Sequence, residues 1–140
     1  MTMEEIVYRT PNGLHDAYLL NLDANYREQV LRFDLNWFVG IPDGSTEEER
    51  EGFREGTLIV RGLKYLVIES PTKAKGYEEP SHIDGFVTRP EDEIRMSLPS
   101  IAEGGFRYSI FIGEWNSFIH FAGTSAEVTP ADLIVREMRA

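Results

Sequence analysis

The strongest hydrophobic pattern in the chain runs from residue 29 to residue 40. Apolar side chains occupy every second position there, at Leu31, Phe33, Leu35, Trp37 and Val39. A period of two is typical of a strand that buries one face. The run from 14 to 24 also has an apolar side, and four polar or aromatic residues separate the two runs. We therefore predict a β-hairpin made of residues 14–24 and 29–40.

Two segments after this hairpin differ from it in period and composition. In residues 45–56, Ser45 and Thr46 are each followed three positions later by a glutamate, which fits a helix capping box. We predict a short surface helix here, pinned to the body by Phe53. Residues 57–69 are the most apolar stretch of the chain, and they predict a central strand with a bulge at Gly62.

The next part of the chain predicts a long connection. Residues 70–93 contain three prolines and two glycines, which favours irregular structure with a short strand at 86–88. A further brief strand is expected at 94–98.

The last third predicts a second hairpin and a short terminal element. Residues 106–113 and 118–122 are expected to pair around a tip at 114–117. A threonine followed by a proline resembles a helix start, so residues 130–138 are predicted as a short helix. A strand at 133–135 is the alternative.

Strands joined mostly by short turns, without regular alternation of strand and long helix, indicate the fold class. We predict a mainly β protein, an antiparallel sandwich or partly open barrel with one or two short helices. A chain of 140 residues has the usual size of one domain, so residues 1–140 are expected to form a single unit.

Charge and composition narrow the classes of partner. The formal net charge is −10, from 24 acidic and 14 basic residues. Such a field repels phosphate backbones and anionic lipids, so we expect neither nucleic acid nor a membrane as partner, whereas a basic protein fits. The chain has no cysteine, no apolar run long enough to span a membrane and no signal-peptide pattern at its start. The expected compartment is the cytoplasm.

The sequence lacks the common catalytic motifs, which disfavours an enzyme. It contains no Walker loop, no dinucleotide fingerprint and no nucleophile-elbow serine. The sharpest chemical alternative is a facial triad for iron(II) formed by His82, Asp84 and His120. In the competing interpretation, His82 and Asp84 are solvated loop residues and His120 is a hydrogen-bonded residue on a sheet face.

His15 and Asp16 follow the turn Pro11-Asn12-Gly13. Adjacent residues of a strand point to opposite faces, so these two are not expected to form a catalytic pair without a third group. We predict a structural role, in which either side chain fixes the turn by hydrogen bonds.

Four residues are candidates for contact with a protein partner. Trp115 and Tyr77 fall in predicted turn or loop segments, and exposed aromatic residues are enriched at interfaces. The alternative is that Trp115 folds back over its own hairpin while Tyr77 covers the edge of the core. Glu48 and Glu49 belong to an acidic cluster that is either a solvated face or a dock for a basic surface.

The opening of the chain resembles that of small bacterial β-rich proteins related to immunity proteins of polymorphic toxin systems. The resemblance rests on residues 13–17 (GLHDA), on the alternating strand that follows, and on segments 108–110 and 118–120 of the late hairpin. It implies a non-catalytic protein that neutralises a partner by binding. The long segment 70–93 departs from that pattern.

Three functions remain in competition at this point. The leading hypothesis is a non-catalytic module that binds another protein and uses no cofactor. The alternatives are an iron-dependent enzyme and a β-barrel that encloses a small apolar ligand. Pairing of edge strands between subunits, and hence a homo-oligomer, stays open.

Overall fold

Two four-stranded antiparallel sheets face each other in the computed structural model, which describes residues 1–41, 43–78, 80–86, 97–101 and 103–135. The predicted antiparallel sandwich is confirmed. In spatial order, the first sheet consists of β1 (Tyr18–Asn25), β2 (Val30–Phe38), β3 (Phe53–Arg61) and β8 (Ser125–Thr129). The second consists of β4 (Tyr65–Ile68), β7 (Ser117–Gly123), β6 (Phe106–Ile112) and β5 (Ile83–Phe86). The sheets do not close into a barrel.

The first sheet contains the hairpin predicted from the strongest alternation. Strand β1 begins later than expected, because the chain still turns between residues 14 and 17. The apolar side of β2 is buried, as the period of two predicts.

The second sheet contains the late hairpin, which is also confirmed. Strand β5 begins before the predicted strand 86–88 and shares Phe86 with it, and residues 87 and 88 lie outside the described residues. Most of the strand expected at 94–98 falls outside the described residues, and Ser97 and Leu98 are not in a strand.

The single strand predicted for residues 57–69 is wrong. The segment forms two strands, β3 and β4, which belong to different sheets. Gly62 lies between them with φ +64°, and a Cβ atom there would collide with the side chain of Thr124. The run lacks alternation because the chain crosses from one sheet to the other within it, and glycine permits the required backbone conformation.

The helices differ from the prediction in number and in length. Helix α1 (Met3–Arg9) was not expected, although Thr2 and Glu5 form a complete capping box at its start. Its buried residues, Met3 and Ile6, are three positions apart. Helix α2 (Glu47–Arg50) is a single turn, far shorter than 45–56.

Phe53 does not pin α2 to the body. It starts β3, pairs with Phe38 of β2 and is 43% exposed. Cross-strand pairing therefore takes the residues that the capping pattern had assigned to a helix. The helix predicted at 130–138 is reduced to a 3₁₀ turn at Ala131–Leu133, and residues 136–140 lie outside the description.

The core fills the space between the two sheets. Its largest fully buried side chains include Trp37, Phe33 and Phe121, and the rings of the last two lie 5.2 Å apart. Helix α1 extends this core beside β8. Within the described ranges, no helix is long and apolar enough to cross a membrane.

Candidate partner-binding site

The tip of the β6–β7 hairpin and the loop after β4 meet at the outer edge of β1. The tip is a 3₁₀ turn, Gly113–Trp115, and the loop is anchored to it by hydrogen bonds. The backbone N–H of Thr72 donates to the carbonyl oxygen of Trp115 at 2.9 Å, and Lys73 Nζ donates to the carbonyl oxygen of Gly113 at 3.1 Å. These bonds place residues 70–78 and 80–82 beside the sheet sandwich.

Trp115 is buried, which agrees with the alternative that it folds back and contradicts its exposure as a partner contact. Only 9% of its surface is exposed, because the indole folds back into the core. Tyr77 is 64% exposed, as predicted. Its ring meets the Trp115 ring edge to face, with centroids 4.9 Å apart. Trp115 therefore forms a buried support, and Tyr77 packs against it and is available at the surface.

A cleft of about 310 Å³ lies between β1 and this loop. We call it the β1 cleft, and it is lined by Leu19, Leu20, Asn21, Leu22, Tyr77, Ser81 and Trp115. Leu20 is 53% exposed because it is the extra residue of a β-bulge, where the register passes from Leu19 opposite Leu35 to Asn21 opposite Asp34. Sequence reasoning missed Leu20, although two adjacent leucines break the alternation there.

The outer edge of β1 is covered only over its first part. The N–H of Leu19 donates to the carbonyl oxygen of Ser81 at 2.9 Å, and the Ser81 hydroxyl donates back to the carbonyl oxygen of Leu19. Tyr18 and His82 form an isolated antiparallel bridge. Beyond Leu19, none of the described strands pairs with this side of β1. We call residues 20–25 the open edge.

His82 is clamped between two carboxylates next to the covered part of β1. Its Nε2 atom lies 3.1 Å from Asp16 Oδ1, and its Nδ1 atom lies 4.0 Å from Glu114 Oε2. The backbone N–H of His82 donates to Glu114 Oε1 at 2.9 Å, and the imidazole stacks on Tyr18. The clamp holds segment 81–83 against β1.

The geometry of His15 and Asp16 differs from the strand that was assumed. Asp16 has φ +66°, so the two residues form part of a turn, and His15 Nε2 lies 3.6 Å from Asp16 Oδ2. His82, which contacts Asp16, is the third group that lies next to this pair. The backbone N–H of Asp16 also donates to the carbonyl oxygen of Ile83 at 3.0 Å. These contacts join the turn to segment 82–83, and the predicted fixing of the turn by side-chain hydrogen bonds stays a prediction.

The structure does not bring His82, Asp84 and His120 together. His82 precedes the edge strand β5, whereas His120 lies on β7 with β6 between them. His120 is 2% exposed, and its ring nitrogens contact Ser109 Oγ at 2.7 Å and Glu69 Oε2 at 3.2 Å. Over the residues described, no three histidine, aspartate or glutamate side chains are placed to hold a metal ion.

Glu48 and Glu49 lie on α2, apart from the residues that line the β1 cleft. Glu49 serves the start of its own helix: its Oε2 atom accepts a hydrogen bond from the N–H of Ser45 at 2.8 Å, and its N–H donates to Thr46 Oγ1 at 3.1 Å. Glu48 is exposed. The acidic cluster therefore has a capping role in addition to its charge.

Asp34 supports β1 from the neighbouring strand. Its carboxylate accepts hydrogen bonds from Arg32 Nε at 3.0 Å, Thr57 Oγ1 at 3.0 Å and Asn21 Nδ2 at 3.4 Å. Burial alone would raise the pKa of Asp34. The three hydrogen bonds and the charge of Arg32 outweigh this desolvation, and together they hold the pKa below its ordinary value.

No protein-family model and no curated protein matches this chain. Among solved structures, the chain is similar to the crystal structure of an uncharacterized protein from Neisseria gonorrhoeae. The two are 11% identical with a TM-score of 0.45, over 83% of this chain and 92% of the other. This similarity assigns neither a family nor a function.

Proposed function

We propose that the protein is a non-catalytic module that binds another protein through the β1 cleft. The observation that carries the proposal is the convergence of Leu20 and Tyr77 on the open edge. Both side chains are more than half exposed, and the buried indole of Trp115 forms a rigid wall beside them. Apolar and aromatic anchors around a shallow cleft are typical of the centre of a protein interface.

Neutralisation of a partner by binding is consistent with this site. The resemblance to immunity proteins would make the partner a toxin domain, which an inhibitor blocks without any chemistry of its own. The negative charge of the chain favours a basic partner and speeds their encounter. The cytoplasmic compartment predicted from the sequence is part of this proposal.

A quantitative pull-down from the source cell tests the proposal. The bait is the wild-type chain, the double variant Leu20→Ala/Tyr77→Ala, or the control Ile41→Ala/Tyr26→Ala. The control removes side chains that are 57% and 77% exposed and lie outside the β1 cleft. We expect a stoichiometric partner with the wild type and the control, and at least about tenfold less with the cleft variant.

Two results would contradict the proposal. One is equal recovery of the partner by both double variants, which would place the interface elsewhere. The other is repeated absence of any stoichiometric partner under native conditions.

A further inference from the structure

We propose that the occupant of the β1 cleft is an extended, positively charged segment of the partner, which pairs with β1 as an added strand of the first sheet. This inference rests on the proposed function, because it assumes that the cleft binds a protein. It specifies the form of the bound segment, its charge and the groups that hold it.

The backbone of the molecule already shows half of this arrangement. Segment 81–83 lies along the start of β1 and along the turn before it. Leu19 N–H of β1 donates to Ser81 O at 2.9 Å, and beside the turn Ile83 N–H donates to Ala17 O at 2.7 Å and Asp16 N–H to Ile83 O at 3.0 Å. Beyond Ser81 the chain leaves this path for Tyr77 and the hairpin tip. A bound segment would continue along the open edge where 81–83 departs.

Strand addition fits the chemistry of an open edge. A sheet edge presents N–H and C=O groups that another extended chain can satisfy, which gives affinity without a fixed sequence. Among the described strands, β1 is an outer member of the first sheet, and residues 20–25 have no strand on that side. The backbone thus supplies the pairing and the cleft supplies selectivity.

The cleft suits one side chain rather than a folded surface. Its volume of about 310 Å³ is at the small end of the roughly 300–1,000 Å³ found for ligand pockets. Leu20 and Tyr77 flank it, and Trp115 closes its inner side. In an extended segment, alternate side chains point to one face, so one apolar residue enters here while its neighbours remain in solvent.

The charge around the cleft selects a basic segment. Residues 18–25, 76–78 and 80–84 border it, and none of these stretches contains a lysine or an arginine. Asp23 on β1 and Glu78 beside Tyr77 are both exposed acidic side chains. Lysine or arginine at the solvent-facing positions of the bound segment would therefore meet opposite charge on both sides.

The same charge argues against a second copy of this chain on the open edge. Two copies would each carry a net charge of −10 and would bring the Asp23 side chains of two β1 strands together. Strand β1 has no basic residue, and Arg32, which lies opposite Asp23 on β2, is engaged by Asp34 at 3.0 Å. A partner of opposite charge is thus favoured over self-pairing.

A random peptide display selection on the full chain tests the inference. The probe is a library of ten-residue peptides, depleted beforehand on the Leu20→Glu variant. We expect enriched peptides to combine one bulky apolar residue with an excess of lysine and arginine. Leu20→Ala and Tyr77→Ala should weaken their binding at least about tenfold, whereas Ile41→Ala should leave it unchanged. Urea unfolding midpoints verify that the variants are folded.

Backbone pairing is tested on the best enriched peptide. Two versions are synthesised, with N-methyl groups on alternate amides in one register or in the other. In an edge strand only every second amide faces the sheet. One version should therefore bind at least about tenfold more weakly, while the other retains its affinity.

The outcomes separate this inference from the proposed function. Peptides that need Tyr77 but lack a basic excess, or that tolerate both N-methylated registers, would overturn the inference and leave the β1 cleft as a binding site. If no peptide is enriched, extended segments do not bind, and the inference falls whatever the pull-down shows. A dimer that Leu20→Glu dissociates in sedimentation would make a second copy the occupant and overturn the inference as well.

Discussion

The first sheet has two outer edges, β8 and β1, and they differ in how far other segments of the chain cover them. At the β8 edge, the backbone of Met1 is joined to Ala126 by hydrogen bonds in both directions, and α1 buries Met3 and Ile6 beside this strand. At the β1 edge, segment 81–83 covers only the beginning of the strand, and Leu20 remains exposed. The β8 edge therefore contributes to stability, whereas residues 20–25 of the β1 edge are available for contact.

The difference shows what is needed to close an edge. Hydrogen bonds to the edge backbone are present at both β8 and the first part of β1. At both edges they are combined with buried apolar side chains, Met3 and Ile6 at β8 and Ile83 at β1, but at β1 this cover ends at Leu19. Burial of apolar surface contributes more to stability than a backbone hydrogen bond that water can replace. The predictions below test this contrast in order of expected effect.

Substitution in α1 should have the largest effect. Ile6 is fully buried, so Ile6→Ala should lower the free energy of unfolding by about 2–5 kcal/mol through lost burial and a cavity. Leu20→Ala on the open edge should change it by less than about 0.5 kcal/mol, because that side chain is already half in solvent. Urea denaturation measures both values. Similar losses for the two variants would refute the contrast.

Removal of the clamp should have an intermediate effect. Glu114→Ala deletes the acceptor of the His82 N–H, and we expect a loss of about 1 kcal/mol. Exchange of the Leu19 and Asp16 amide protons should also accelerate, since both donate to segment 81–83. On the β8 edge, Glu127→Ala removes an exposed ion pair with Arg61 and should cost less than about 0.5 kcal/mol. Unchanged exchange in Glu114→Ala would show that the clamp is dispensable.

Charge reversal on the open edge should change binding more than stability. We expect Asp23→Lys to weaken the enriched basic peptides about threefold to tenfold, because a repulsive contact replaces an attractive one. Asp43→Lys, also exposed but before α2, should change the affinity less than twofold. Titration at low and high salt gives the measurement, and the gap between the variants should narrow as salt rises. A gap that does not depend on salt would exclude a charge effect.

The smallest effect concerns pH. The pKa of Asp34 is lowered in the folded chain, so its contribution to stability is present above about pH 4 and is lost as the pH falls through the folded value. Asp34→Asn should therefore flatten the acid side of the stability curve below about pH 4, with a change below about 1 kcal/mol since the carboxylate is partly exposed. Unfolding midpoints at several pH values measure it. An unaltered acid profile would contradict this assignment.

Local patterns predicted the two hairpins because the apolar positions within each strand reflect which of its side chains are buried. Strand β2 buries one face and exposes the other, so its period of two can be read directly from residues 30–38. Helix α1 was also accessible, since Thr2 and Glu5 carry the same capping signal that was used for α2. The capping pattern at Thr2 and Glu5 therefore predicts α1 in the same way as the pattern at Thr46 and Glu49 predicts α2.

The remaining features depend on contacts distant in sequence. Trp115 is buried because it folds back into the core, and the loop around Thr72 and Tyr77 is anchored beside it. Leu20 is exposed because its register with β2 shifts by one residue. His15 and Asp16 acquire their third partner from His82, far along the chain. No local pattern states which of these segments meet.

The closure of the β8 edge has a consequence for how the chain is made. Met1 and Ala126 are 125 positions apart. At the ~5–20 residues per second typical of ribosomes, about 6–25 s pass between synthesis of the two. During that interval residues 3–9 lack the strand that they cover, so Met3 and Ile6 are not yet buried against β8. The most firmly closed border of the mature sheet is thus the last one that translation allows to form.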